Sequence, residues 1–313
     1  MQLTEIRTRV ESVVAIPVTP FDDRDGVDEK SYGELITRLV DGGIEVITPN
    51  GNTGEFYALT PQEAQRCVEI TVAHAGDALV MAGVGLGTAA AVRAAEHARD
   101  AGARLVMVHQ PVHPFQSADG WLAYHRVIAD AVPDLGVVLY LRDPAVPGAL
   151  LARLFDVCPN VVAIKYAVPD PVTLATLIRT TGVDRMSWLC GLAETWAPFF
   201  WLAGVRGFTS GLVNVAPQLS LELLGHLRRG DHAAAMGLWW RLKPFEDLRA
   251  RDRSALNVSV VKEALAQLGL CTAAVRPPIS TLSAGDAAVV RRTLEEWGMS
   301  PAEAEAGAPA ASA

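Results

Sequence analysis

The chain has 313 residues, half of them apolar, and a formal net charge of −8. Such a chain supplies a sizeable core as one large or two ordinary domains. The acidic balance, with no basic stripe, argues against nucleic acid and anionic membrane surfaces as partners. From the first residues, Met1-Gln2-Leu3-Thr4-Glu5, there is no signal-peptide pattern, and no apolar run is long enough to span a bilayer. Cys67, Cys158, Cys190 and Cys271 lie far apart without paired metal spacing, which reads as reduced thiols. A cytoplasmic protein is expected.

In chain order, short β-rich apolar runs occur at 13–18, 45–49, 79–84, 104–109, 136–140, 161–165, 187–191 and 207–211. Most are continuous rather than alternating, the pattern of parallel strands buried on both faces. Helical patterns fall between them, at 29–41, 61–75, 89–101, 120–131 and 171–180 among others. Thr60-Pro61-Gln62-Glu63 is a helix-start signal, with a capping threonine, a proline and a glutamate three residues on. Eight strands each followed by a helix predict an α/β fold, a (β/α)8 barrel, over residues 1–216. No G-x-G-x-x-G fingerprint follows the first strand to favour a doubly wound sheet. Residues 217–300 are helical and too long for one closing helix, so a helical extension is expected there. The Ala/Glu/Pro-rich stretch 301–313 lacks apolar periodicity and is expected to be disordered.

In such a barrel the site is built at the carboxyl ends of the strands, so those ends carry the candidates. The sixth run, Val161-Val162-Ala163-Ile164-Lys165, ends on one of four lysines (Lys30, Lys165, Lys243, Lys262) in a chain with 23 arginines. A desolvated lysine can lose its proton and attack a ketone, which arginine cannot do. The competing reading is a lysine whose head reaches solvent at a strand end. The fifth run ends in Tyr140-Leu141-Arg142-Asp143. A held phenol at Tyr140 can move protons on and off a carbinolamine, and Arg142 can clamp a second carboxylate. The bland readings are a core tyrosine and an Arg142–Asp143 salt bridge. The second run leads into Gly51-Asn52-Thr53-Gly54-Glu55, a glycine turn able to expose backbone amides to an anion, with Thr53 adding a hydroxyl. The seventh and eighth runs end at Gly191 and near Ser210-Gly211. Trp196, Phe199, Phe200 and Trp201 share one predicted helix and suggest core or a subunit interface. His109 and His113 lie near the end of the fourth run; a histidine with no partner at metal spacing is usually structural, so no metal is expected.

With these residues in place, the sequence resembles the pyruvate-dependent class I aldolase superfamily that includes dihydrodipicolinate synthase and N-acetylneuraminate lyase. The resemblance runs from about Ser12 to Leu282. It rests on Ile16-Pro17-Val18-Thr19-Pro20-Phe21, Gly51-Asn52-Thr53-Gly54-Glu55, Tyr140 and Ile164-Lys165. Within the superfamily the chain looks closest to 5-dehydro-4-deoxyglucarate dehydratase-like members, through residues 140–146, Cys158-Pro159-Asn160, Val258-Ser259-Val260-Val261-Lys262 and Val275-Arg276-Pro277-Pro278. The resemblance implies Lys165 as Schiff-base nucleophile, Tyr140 as proton shuttle, and Thr53 with the backbone at Asn52 as the carboxylate site. It implies that Gly191 and Ser210 line the chamber near the imine. In the mechanism expected on that basis, Arg142 with His113 or Asn214 reads the far end of the substrate. The resemblance further implies a 2-oxo acid substrate, no cofactor, and a homo-oligomer, tetramer or dimer.

The activity expected is a lyase acting on a 2-oxo-3-deoxy sugar acid, as dehydratase or aldolase. Two alternatives stay open: pyruvate condensation of the dihydrodipicolinate synthase type, and a catalytically silent barrel that binds a 2-oxo acid. Asn52 stands where the synthase and lyase usually carry a second small hydroxyl residue. Val112-His113 replaces the synthase's usual tyrosine after the fourth strand. Both count against dihydrodipicolinate synthesis.

Overall fold

The computed structural model describes residues 2–182 and 185–299; the stretch 301–313, expected to be disordered, lies outside them. Eight strands form: β1 (Val13–Ala15), β2 (Val46–Ile47), β3 (Leu79–Val84), β4 (Leu105–Val108), β5 (Gly136–Leu141), β6 (Val161–Tyr166), β7 (Ser187–Cys190) and β8 (Gly207–Ser210). All pair in parallel in sequence order, and β1 pairs with β8 to close the barrel. Each predicted apolar run coincides with one strand, with β5 and β6 extending one residue further.

Among the described residues there are twelve α-helices. A short α1 (Leu3–Arg9) precedes β1. The strand connections hold α2 (Glu29–Asp41), α3 (Pro61–His74), α4 (Thr88–Ala101), α5 (Ala118–Ala131), α6 (Gly148–Val157), α7 (Pro171–Thr181) and α8 (Ala193–Leu202). After β8 come α9 (Pro217–Arg228), α10 (His232–Ser254), α11 (Asn257–Gln267) and α12 (Ala284–Glu296). Helix α3 starts as its sequence indicates: the Glu63 amide donates to Thr60 Oγ1 (3.2 Å) and the Thr60 amide donates to Glu63 Oε2 (2.8 Å).

Strand residues point alternately into the barrel and out toward the helices, and both faces are apolar, so each strand reads as an unbroken run. Val14, Val46, Met81, Met107, Val138 and Leu189 meet inside. Ile6 and Val10, from α1 and the residue after it, join this inner cluster and help seal the amino-terminal end of the barrel. The opposite, carboxyl-terminal end stays open. There α10 and α11 pack against each other, and α11 reaches the turns after β2 and β8. Helix α10 ends in a kink: Arg251 is extended (φ −55°, ψ 146°), and Asp252, Arg253 and Ser254 follow with positive φ of 51°, 61° and 67°. Three left-handed non-glycine residues in a row are costly, and such strain tends to collect at functional sites. No helix among the described residues is long and apolar enough to cross a membrane.

Candidate active site

A cavity of about 500 Å³ opens at the carboxyl ends of the strands. Six predicted residues meet on its wall: Asn52, Thr53, Tyr140, Arg142, Lys165 and Gly191.

The β5–β6 register sets Tyr140 beside Lys165. Both side chains leave adjacent parallel strands at one level and toward one face. Lys165 is 4% exposed, and its Nζ lies 4.1 Å from the centroid of the Tyr140 ring. It has no carboxylate partner among the described residues. Burial strips the ammonium of water and the Arg142 guanidinium adds repulsion, so its pKa falls to about 7 from an ordinary 10.5. A large fraction of this amine is therefore neutral near pH 7. Tyr140 is buried, which pushes its phenol up, with Arg142 acting in the opposite direction. Asn52 Nδ2 donates to Tyr140 Oη at 3.3 Å. Gly191 clears the lysine's path: a Cβ there would lie 3.0 Å from Lys165 Cγ and 2.8 Å from Ala167 Cβ.

The turn after β2 is a 3-10 turn, Asn52–Gly54. Its glycines serve close approach and not left-handed backbone. Gly51 has φ −80°, and a Cβ there would strike Ile16 Cγ2. A Cβ on Gly54 would come within 2.9 Å of the Pro17 carbonyl. The positive φ angles fall on the flanking Asn50 (60°) and Glu55 (57°). The Gly54 and Glu55 amides are used inside the turn, on the Gly51 and Asn52 carbonyls. Glu55 anchors the turn from below. Its carboxylate pairs with Lys262 of α11 at 2.5 Å, both side chains fully buried, and it accepts from the Arg276 amide at 2.9 Å. Lys262 also donates to the Ala274 carbonyl (2.6 Å), so the ammonium is shared between an ion pair and a hydrogen bond.

Arg142 stands exposed at the mouth, with Cζ 5.8 Å from the Tyr140 ring and no ion pair among the described residues. The competing Asp143 bridge does not form; Asp143 Oδ1 accepts from the Ala145 amide instead.

Three expectations need correction. Ser210 does not line the cavity: it is fully buried, and its hydroxyl donates to Glu194 Oε1 of α8 at 2.5 Å. Strand alternation is the cause, since Thr209 faces inward and turns the next residue toward the helices. Asn214 is also structural, accepting from the Val18 amide and donating to the Ile16 and Gly211 carbonyls. His113 is exposed, bonded to the backbone of Phe115, and does not line the cavity.

The structure adds residues from beyond the barrel. Arg249 and Asn257 complete the far wall, with Glu246 and Arg253. Arg249 is 3% exposed; it donates to Glu246 Oε1 (2.6 Å) and Asn257 Oδ1 (2.9 Å). Gly211 leaves room for it, since a Cβ there would strike Arg249 Nη2. One sequence signal was available: Leu238, Leu242, Phe245 and Arg249 recur at helical spacing, which puts an arginine on an apolar stripe. Of the aromatic run, Phe200 is buried core, Trp196 lines the cavity and Phe199 stands 41% exposed. No group of three or more His, Cys, Asp or Glu residues able to hold a metal occurs among the described residues.

Known proteins carry the same architecture. The model of the family described as the dihydrodipicolinate synthetase family matches residues 9–297. A probable 5-dehydro-4-deoxyglucarate dehydratase of Rhizobium rhizogenes is 32% identical over 303 residues, which cover 94% of this chain and 98% of that protein. One from Saccharopolyspora erythraea is 34% identical, covering 96% of this chain and 98% of its own. Among solved structures, dihydrodipicolinate synthase from Bacillus clausii superposes with a TM-score of 0.90 at 41% identity, covering 94% of this chain and all of that one.

Proposed function

The chain belongs to the dihydrodipicolinate synthetase family, and from that premise we propose that it is a lysine-imine lyase that dehydrates a 2-oxo-3-deoxy sugar acid. The observation that carries the reading is the pairing of Lys165 with Tyr140: a buried, uncompensated amine beside a buried phenol on the next strand. The names of the relatives from Rhizobium rhizogenes and Saccharopolyspora erythraea favour dehydration over condensation.

Neutral Lys165 attacks the C2 carbonyl of the 2-oxo acid. Tyr140 passes a proton to the carbinolamine oxygen, which leaves as water and gives a protonated imine. The substrate's C1 carboxylate is met by the Asn52 and Thr53 amides and the Thr53 hydroxyl. The imine draws electrons from C3, whose proton passes to the Tyr140 phenolate left by the first step, and C3 becomes an enamine carbon. The enamine expels the C4 hydroxyl, which takes that proton and leaves as water. Hydrolysis then frees the product from Lys165. The imine is itself the electron sink, so the sequence of steps uses no metal or organic cofactor. Arg142 holds the distal end of the substrate at the mouth, and Gly191 keeps the lysine's approach clear.

In this account residues 1–216 form the catalytic barrel and 217–300 the helical extension that walls the chamber through Arg249 and Asn257. The protein acts in the cytoplasm as a homo-oligomer; exposed Phe199, Leu202 and Trp240 support a subunit contact. The test is a product-mass assay with 2-oxo-3-deoxy sugar acids. Loss of water, alone or with carbon dioxide, is expected, whereas release of pyruvate would make the protein a retro-aldol lyase.

A further inference from the structure

His109, immediately after β4, is fully buried, yet it is held as carefully as any residue on the cavity wall. Its imidazole stacks flat on Phe56 (centroids 4.2 Å apart, planes 6° apart) and meets the Tyr140 ring edge-on at 5.9 Å. Nε2 lies 2.8 Å from the carbonyl oxygen of Asn50, so Nε2 carries the hydrogen and donates. Burial holds the ring neutral, with its pKa down to about 3. Nδ1 has no partner. An apolar side chain would fill this space without that orphaned nitrogen, so packing alone does not explain a histidine here.

The space is also cleared on purpose. Two glycines face the ring, Gly83 in β3 and Gly85 just after it. A Cβ on Gly83 would strike the Asn50 carbonyl and sit 3.1 Å from His109 Nε2, and one on Gly85 would sit 2.9 Å from His109 Cβ. The carbonyl so approached belongs to a left-handed, non-glycine residue that opens the turn 51–54. Such a conformation persists only when its surroundings enforce it. Asn50 is tied twice: His109 holds its carbonyl, and its own Nδ2 donates to the Ala64 carbonyl at 2.8 Å. Two residues later, Asn52 donates to the Tyr140 phenol.

We infer that His109 is a positioning residue: by donating to the Asn50 carbonyl, it fixes the turn that presents Asn52 and Thr53 to the substrate carboxylate and Asn52 to Tyr140. The link to substrate rests on the lysine-imine reading; the bracing of the turn does not.

Two variants separate the donor from the ring. His109→Phe keeps the stack on Phe56 and removes the N–H, whereas His109→Gln places an amide N–H near the position of Nε2. In ligand-free protein, hydrogen exchange of the peptide spanning residues 50–55 is expected to speed up about tenfold in His109→Phe and to stay within about threefold of wild type in His109→Gln. The pyruvate concentration that half-saturates borohydride-fixed labelling of Lys165 should rise about tenfold in His109→Phe, with maximal labelling kept, and return toward wild type in His109→Gln. If His109→Phe does not fold, His109→Asn gives the same comparison, because its amide reaches only the Nδ1 position. Equal exchange and equal half-saturation in the donor-lacking and donor-bearing variants would overturn the inference. A loosened turn in a protein whose wild-type Lys165 takes no label would uphold the brace and sink the imine reading.

Discussion

Replacing Lys165 with methionine separates the cost of burying the amine from its chemistry. The methionine side chain is of similar length and carries no charge. In the wild type the lysine titrates near 7 in the folded state, against an ordinary 10.5 unfolded. The unfolded chain therefore binds more protons between these values, and stability rises with pH across that window. Below about pH 7 both states are protonated and the full penalty is present. From the two pKa values, that penalty is about 5 kcal/mol at pH 6 and about 2 kcal/mol at pH 9. Urea unfolding of both proteins at pH 6, 7, 8 and 9 measures the difference, and titrations common to the two cancel. The stability gained by Lys165→Met should shrink by roughly 2–3 kcal/mol from pH 6 to pH 9. A gap independent of pH would mean that the amine is not desolvated, and the argument for a neutral nucleophile would fail.

Tyr140→Phe keeps the ring beside Lys165 and removes the hydroxyl; kcat should fall about a hundredfold or more, with the fold unchanged by circular dichroism. Gly191→Ala forces a Cβ against Lys165 Cγ and Ala167 Cβ, and single-turnover labelling of the lysine should slow about tenfold or more. Lys262→Met strands the Glu55 carboxylate in the interior; urea unfolding should show a loss of about 3–5 kcal/mol, partly recovered by adding Glu55→Gln.

The barrel was legible because parallel strands leave a local mark. With helices on one face and the packed interior on the other, each strand becomes an unbroken apolar run, and eight such runs separated by helical patterns admit few closed topologies. The placement of Lys165 and Tyr140 on the cavity wall was legible for the same reason, each being a polar residue at the carboxyl end of an apolar run. Ser210 was misread because alternation makes a one-residue choice at a strand end a choice of face, and nothing in Thr209-Ser210-Gly211 declares which hydroxyl points inward. The wall formed by Arg249 and Asn257, and the Glu55–Lys262 pair, join segments far apart in the chain. Residue spacing within either segment carries no record of such a meeting. His109 offers the sequence only a histidine at a strand end, because its place depends on the left-handed backbone of Asn50, which the sequence marks only by an asparagine ahead of a glycine.

One lysine among four carries the proposed chemistry. Incubation with pyruvate and sodium borohydride, followed by proteolysis and mass analysis, should fix the reduced adduct on the Lys165 peptide and leave Lys30, Lys243 and Lys262 unlabelled. Labelling should halve near pH 7 as the pH is lowered, following the amine. An unlabelled Lys165, or an adduct on another lysine, would contradict the account.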